Sequence, residues 1–395
     1  MHYIGIDIGK RQHVCAVINT EGKTVIKPFS FANTADGFSM LMSKLENVLN
    51  DTDSCVFGME ATGHYWLNLY ERLLQKNVSI NVFNPIQVKA FRNQGIRGSK
   101  SDTIDAVLIA KVMHFGQSVQ TKKTDSTLIA LKNLTRYRAD LTQEIAATKN
   151  KVICLLDQAF PEFNSLFSDM FGSAAMALLQ EAATPEEIAA LNDEKLLEII
   201  HGSSRGRFGS AKVAQVKNAA QNSFGLFSAA QSFSFQIKLI ISQIQHLNEC
   251  IHKIDKEIEK LYAPLKLTLT SIPGIATTTA AAIISEIEDV QRFKNPRGGA
   301  TALIAFAGMD PKLCQSGAFT GKAKMSKRGS RYLRRAIFNA SFVAIQNDAA
   351  LKAIYDKHRQ KGKAHKVALS HVGTKMIKIV YSLLKNNTVY TANIT

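Results

Sequence analysis

A chain of 395 residues with 46% hydrophobic content can bury more than one core, so two or three domains are expected. Its 49 Lys and Arg against 32 Asp and Glu leave a net charge of +17, more than solubility requires, which points to a polyanionic partner. Five cysteines, scattered and never in CxxC spacing, indicate neither a disulfide framework nor a structural zinc site. No apolar run reaches transmembrane length and the first residues enter a strand pattern directly. A cytoplasmic protein without a signal peptide or membrane partner is therefore expected.

Three β-rich runs open the chain, His2–Ile8, His13–Asn19 and Thr24–Ala32, separated by turn residues in the manner of an antiparallel meander. A helix over Asp36–Leu49, a strand over Ser54–Glu60, a helix over Tyr65–Gln75, a strand over Val78–Phe83 and a helix over Ser101–Phe115 follow. The order βββαβαβα implies a mixed α/β sheet layered by helices. Thr127–Phe160 reads as one long helix. From Ile237 to Leu261 the residues Ile237, Ile240, Ile244, Leu247, Ile251, Ile254, Ile258 and Leu261 keep a 3-4 spacing that predicts a coiled-coil seam, for helix pairing or dimerisation. Between them the chain is helical and Ala-rich, with a clear helix start at Thr184-Pro185-Glu186-Glu187. The expected domains are 1–122, a helical 123–263 with an insertion at about 160–226, and a helical 264–395.

Four acids stand out by position: Asp7 in the first strand, Glu60 at the end of the fourth, and Asp102 and Asp105 at the start of the helix after the fifth. A three-residue offset puts Asp102 and Asp105 on one helix face. If the first and fourth strands are neighbours, all four converge where that helix begins. Clustered carboxylates repel unless cations fill the gap, and Mg2+ prefers such hard oxygen donors; two ions suit phosphodiester chemistry. Each acid alone has a plain explanation as a turn, strand-end or helix-start residue. The opening Tyr3–Lys10 also resembles the first phosphate loop of actin-like ATPases and sugar kinases, but no second Asp-Gly-rich loop follows.

Glu60-Ala61-Thr62-Gly63-His64-Tyr65, Asn84-Pro85 and Lys100-Ser101-Asp102-Thr103-Ile104-Asp105-Ala106, taken in order, resemble the DEDD-type insertion-sequence transposases, a family that includes the Piv-type DNA invertases. The resemblance covers about residues 1–115 and resumes at about 268–384. It implies an N-terminal RuvC-like (RNase H-like) domain in which Asp7, Glu60, Asp102 and Asp105 bind Mg2+. In the second block Leu269–Ala276 reads as a helix-hairpin-helix turn in which Gly274 lets backbone approach a phosphate. Phe306–Pro311, Gln315-Ser316-Gly317, Lys324–Gly329 and Leu333–Ala336 are similar to the family's C-terminal domain. The resemblance makes Ser316, set on a loop, the nucleophile that attacks DNA. Ser326 and Ser330 are the competing serines, expected to cap a helix or bind phosphate.

Between Met309 and Lys378 stand sixteen Lys or Arg against Asp310, Asp348 and Asp356, a net +13. This is the expected nucleic-acid face, with Lys322, Lys324, Lys327, Arg328, Arg331, Arg334 and Arg335 as contacts to double-stranded DNA. The resemblance further implies a structured noncoding guide RNA, while a homo-oligomer, dimer or tetramer, is expected from the seam and from the need to hold two duplexes. A RuvC-like nuclease or Holliday-junction resolvase using water, and a non-catalytic nucleic-acid scaffold, are the rival readings.

Overall fold

The computed structural model describes residues 1–49, 54–93, 101–116, 125–294, 298–312, 315–316, 319–320 and 324–392. These fall into two compact units, Met1–Lys123 and Thr124–Thr395.

The first unit is a five-stranded sheet in the order β3-β2-β1-β4-β5, with β1 His2–Asp7, β2 Gln12–Asn19, β3 Thr24–Ala32, β4 Cys55–Glu60 and β5 Ser79–Phe83. The first three strands are antiparallel, and β4 and β5 run parallel to β1. Alternation sorts the side chains by face. Ile4, Ile6, Cys15 and Val17 pack with Leu41 and Leu45 of α1 (Ala35–Glu46) and Leu69 and Leu73 of α2 (Leu67–Gln75). On the other face Val14 and Ala16 meet Ala106 of α4 (Asp102–His114).

The sequence did not lead us to expect α3 (Pro85–Arg92), which carries its own start signal. Pro85 takes the first helical position, and Gln87 Oε1 accepts the Asn84 amide at 3.1 Å, half of a capping box. Helix α4 is capped by Ser101, whose hydroxyl accepts from Ile104 N at 3.3 Å.

In the second unit α5 (Ser126–Ala159) lies antiparallel to α11 (Ala230–Tyr262): Arg138 near the start of α5 pairs with Asp255 near the end of α11. At the other end Leu226 N donates to Gln158 O. Five short helices, α6 Phe163–Leu166, α7 Ser173–Glu181, α8 Pro185–Ala190, α9 Asp193–Ser203 and α10 Ser210–Gln221, cover one end of this pair and share its core. All eight residues of the expected seam are buried or half-buried within the single chain. The seam is therefore satisfied by α5 and the short helices, and it is not a stripe left open for a second copy.

A second core gathers α12 (Thr277–Ile287), α13 (Gly299–Phe306), α14 (Arg331–Asn347), α15 (Ala349–Gln360) and α16 (His365–Asn386). Helix α16 is long and apolar enough to cross a membrane by composition alone, but half of its apolar stretch is buried, with Val372, Met376 and Val380 in this core. The region is not all-helical: β6 Pro311–Lys312 pairs antiparallel with β9 Lys324–Met325, and β7 Gln315–Ser316 with β8 Phe319–Thr320.

Candidate active site and nucleic-acid interface

The carboxylate site is built by one close approach. Gly5 of β1 stands opposite Gly58 of β4, and both face α4. A Cβ at Gly5 would lie 2.1 Å from the Ala106 carbonyl oxygen and 2.5 Å from Ala110 N, so only glycine lets the helix backbone settle on the strand. The first turn of α4, with Asp102 exposed and Asp105 buried, is thereby held over the end of β1. Ile6 pairs with Met59, so the next residues, Asp7 and Glu60, leave the parallel ladder side by side.

The four acids act on one another. Burial, then the negative charges of Asp105, Asp102 and Glu60, push the Asp7 carboxyl from an ordinary 3.8 up to about 6. Glu60 Oε1 accepts the Thr62 hydroxyl at 2.7 Å. Asp105 Oδ1 is held by Arg92 Nη2 at 2.7 Å, a partner from α3 that sequence reasoning missed along with the helix. Among the described residues no three His, Cys, Asp or Glu side chains stand close enough together to share one ion. The donor set fits Mg2+ in kind, since it is all carboxylate, and among the described residues Asp105 is the one of the four that makes an ion pair, with Arg92.

Ser316 closes the two-residue strand β7, opposite Phe319, where a loop position was expected. Its side chain lies outside the described residues, as does all of Lys322. The neck beneath this ribbon is well defined. Ser326 N donates to Asp310 O at 2.9 Å, Lys327 N to Gly308 O at 3.0 Å, and Ser330 N to Phe306 O at 2.8 Å, which zips two of the sequence motifs together. The Ser326 hydroxyl donates to Asp310 Oδ1. Ser330 caps α14 and donates its hydroxyl to Glu286 Oε2 at 2.7 Å. Glu286 is 1% exposed. Burial pushes its carboxyl upward, but the fork of Arg136 at 2.6 and 3.0 Å and the Ser330 hydroxyl overcome this and hold it below the usual range.

The expected phosphate contacts divide. Lys324, Lys327 and Arg328 are exposed. Arg334 Nη1 instead donates to Ala307 O at 2.9 Å, Arg335 Nη1 to Ala139 O at 3.1 Å, and Arg331 Nη2 to the Tyr332 hydroxyl at 2.6 Å. Gly274 has a packing role: φ is +89°, and a Cβ there would lie 2.4 Å from Ala340 O and 2.9 Å from Ala344 N of α14. The α14 backbone thus fills the side of Gly274 on which a side chain would stand.

Comparison with known proteins first gives the class. Residues 4–161 match a family model described as "Transposase", and residues 267–356 one described as "Transposase IS116/IS110/IS902 family". The chain belongs to the IS110-type family of insertion-element transposases. It is 23% identical to the insertion element IS110 43.6 kDa protein of Streptomyces coelicolor, over 98% of this chain and 95% of that one. It is also 23% identical to the pilin gene-inverting protein of Moraxella bovis, over 98% and 96%. A RuvC structure from Thermus thermophilus is similar over 31% of this chain and all of its own, at 14% identity and a TM-score of 0.24.

Proposed function

We propose that this protein cleaves and rejoins DNA strands as a transposase or site-specific recombinase, with a RuvC-like carboxylate site in its first unit and Ser316 as nucleophile in its second. The observation that carries the reading is the placement of Asp7 and Glu60 at adjacent strand ends beneath the first turn of α4, which bears Asp102 and Asp105, an arrangement that with burial raises the Asp7 carboxyl. Such mutual repulsion is costly and is relieved by divalent cations. Asp7, Glu60 and Asp102 would hold Mg2+, as one or two ions, with Asp105 joining through the oxygen that Arg92 leaves free. Bound there, Mg2+ would polarise a phosphodiester. Arg92 fixes the Asp105 carboxylate, and Gly5 fixes the height of the helix that bears it.

At Ser316 a bond from the hydroxyl oxygen to phosphorus would form as a phosphorus–oxygen bond of the DNA backbone breaks, with the serine proton passing by way of base or water to the departing deoxyribose oxygen, which is left as a free hydroxyl. Reversal reseals the strand without an external energy source, because the phosphoserine ester keeps the bond energy that hydrolysis would lose. The pilin gene-inverting relative supports a DNA-rearranging role by its name. A structured guide RNA and a dimer or tetramer complete the proposal, the former resting on family resemblance alone. The test is a suicide DNA substrate with Mg2+ and candidate guide RNA. Wild type should leave a denaturation-resistant protein–DNA adduct; Ser316→Ala should lose it and keep binding, and Ser326→Ala should retain it. Cleavage at the normal rate by Ser316→Ala would make water the nucleophile.

A further inference from the structure

Arg334 and Arg335 each donate to a backbone carbonyl, and besides the exposed Lys324, Lys327 and Arg328 the second unit carries another group of exposed cations. The corner between α15 and α16 carries Lys352, Lys357, Arg359, Lys361, Lys363 and Lys366 against Asp356 alone. None of the six makes an ion pair with a carboxylate among the described residues. Four are fully exposed Lys (352, 357, 361 and 366), whereas Arg359 closes the turn by donating to Lys363 O at 2.7 Å and Lys363 Nζ lies 3.0 Å from His371 Nε2. Gly362, at φ +72°, forms the tip with nothing within 4 Å of a would-be Cβ, so the corner is sterically open.

The placement runs against local stability. Lys361, Lys363, His365 and Lys366 crowd the start of α16, where the helix dipole favours acids, and the helix is capped by Ala364 without a side-chain acceptor. Beneath the corner the His358 and His371 rings stack at 3.7 Å and 6°. Burial first, and then the charges of Lys363, Lys361 and Lys357, hold His358 below its ordinary range. A helix start loaded with cations, uncapped and open to solvent, is stabilised only when an anion arrives. A corner dense in cations with one acid among them suits the closely spaced phosphates of a duplex backbone.

We infer that the α15–α16 corner, with Lys357, Lys361 and Lys366, is a surface of the second unit that grips the phosphate backbone of duplex DNA. This rests on the proposal that the chain works on DNA, and it names a gripping surface.

The experiment measures binding of the full-length protein to a fluorescein-labelled 30-base-pair DNA duplex, and to an RNA duplex of equal length, by anisotropy from 50 to 200 mM salt. Each lost duplex-phosphate contact lowers the log–log slope by about 0.9. The triple variant Lys357→Gln, Lys361→Gln, Lys366→Gln should therefore lose about 2.7 units of slope with DNA while melting no lower than wild type. The control Lys253→Gln, Lys256→Gln, Lys260→Gln removes the same charge from α11 and should keep the wild-type slope. Equal slopes for the two triple variants, or a loss by the corner variant seen with RNA only, would overturn the inference while leaving the recombinase reading standing. Failure of wild type to bind DNA at any salt would overturn both.

Discussion

Replacing Asp7 with Asn tests whether the four acids share one electrostatic site. The folded protein raises the Asp7 carboxyl from 3.8 to about 6, so folding favours its protonated form. The associated stability is fully present below pH 4 and is lost as the pH rises through 6. A rise of that size corresponds to a ceiling of about 3 kcal/mol. Asp7 is only part-buried, and solvent screening brings the expectation to about 1–2 kcal/mol. In metal-free buffer Asp7→Asn should match wild type near pH 4 and be more stable by about that amount at pH 7.5. Urea unfolding followed by fluorescence isolates the first unit, because Trp66, which packs on Tyr70, is the protein's single tryptophan. Millimolar Mg2+ should then stabilise wild type and close the gap, since only the native carboxylates bind it. A difference constant from pH 4 to 8, or a less stable variant at pH 7.5, would refute the reasoning.

Gly5→Ala should destabilise the first unit by about 2–3 kcal/mol, because its methyl meets the α4 backbone and not a movable side chain; a loss below 0.5 kcal/mol in urea unfolding would count against the close approach. Arg92→Gln should tighten Mg2+ binding by roughly fivefold, about 1 kcal/mol, by releasing Asp105 from a competing cation; weaker binding by calorimetry would mean Arg92 builds the site. Glu286→Ala should cost about 3 kcal/mol by leaving Arg136 and Ser330 unpaired. In wild type the lowered Glu286 carboxyl stabilises above the usual carboxylate range, and that contribution fades as the pH falls below it. An unchanged Glu286→Ala melting temperature at pH 7 would remove Glu286 as the support of the neck.

The sequence by itself determined the alternation that makes β1 and β2 two-faced and the offset that puts Asp102 and Asp105 on one helix face. It also set the strand-end positions of Asp7 and Glu60 and the long apolar stripe of α11. These are readable because side-chain direction follows from a local period of 2 or 3.6 residues. Even α3 was announced by Asn84, Pro85 and Gln87. What the local pattern left open was which surface each feature meets. The α11 stripe predicts a partner but not whose helix supplies it, and α5 of the same chain does so. Gly274 predicts a close approach without saying to what, and the backbone of Ala340 and Ala344 of α14 stands against it. Arg334 and Arg335 count as positive charge in any sequence, yet each gives a guanidinium N–H to a carbonyl, of Ala307 and of Ala139, some 27 and 196 residues away. Charge and periodicity are properties of the chain; the partner of a buried or bonded group is set by contacts distant in sequence, and only the tertiary structure decides them.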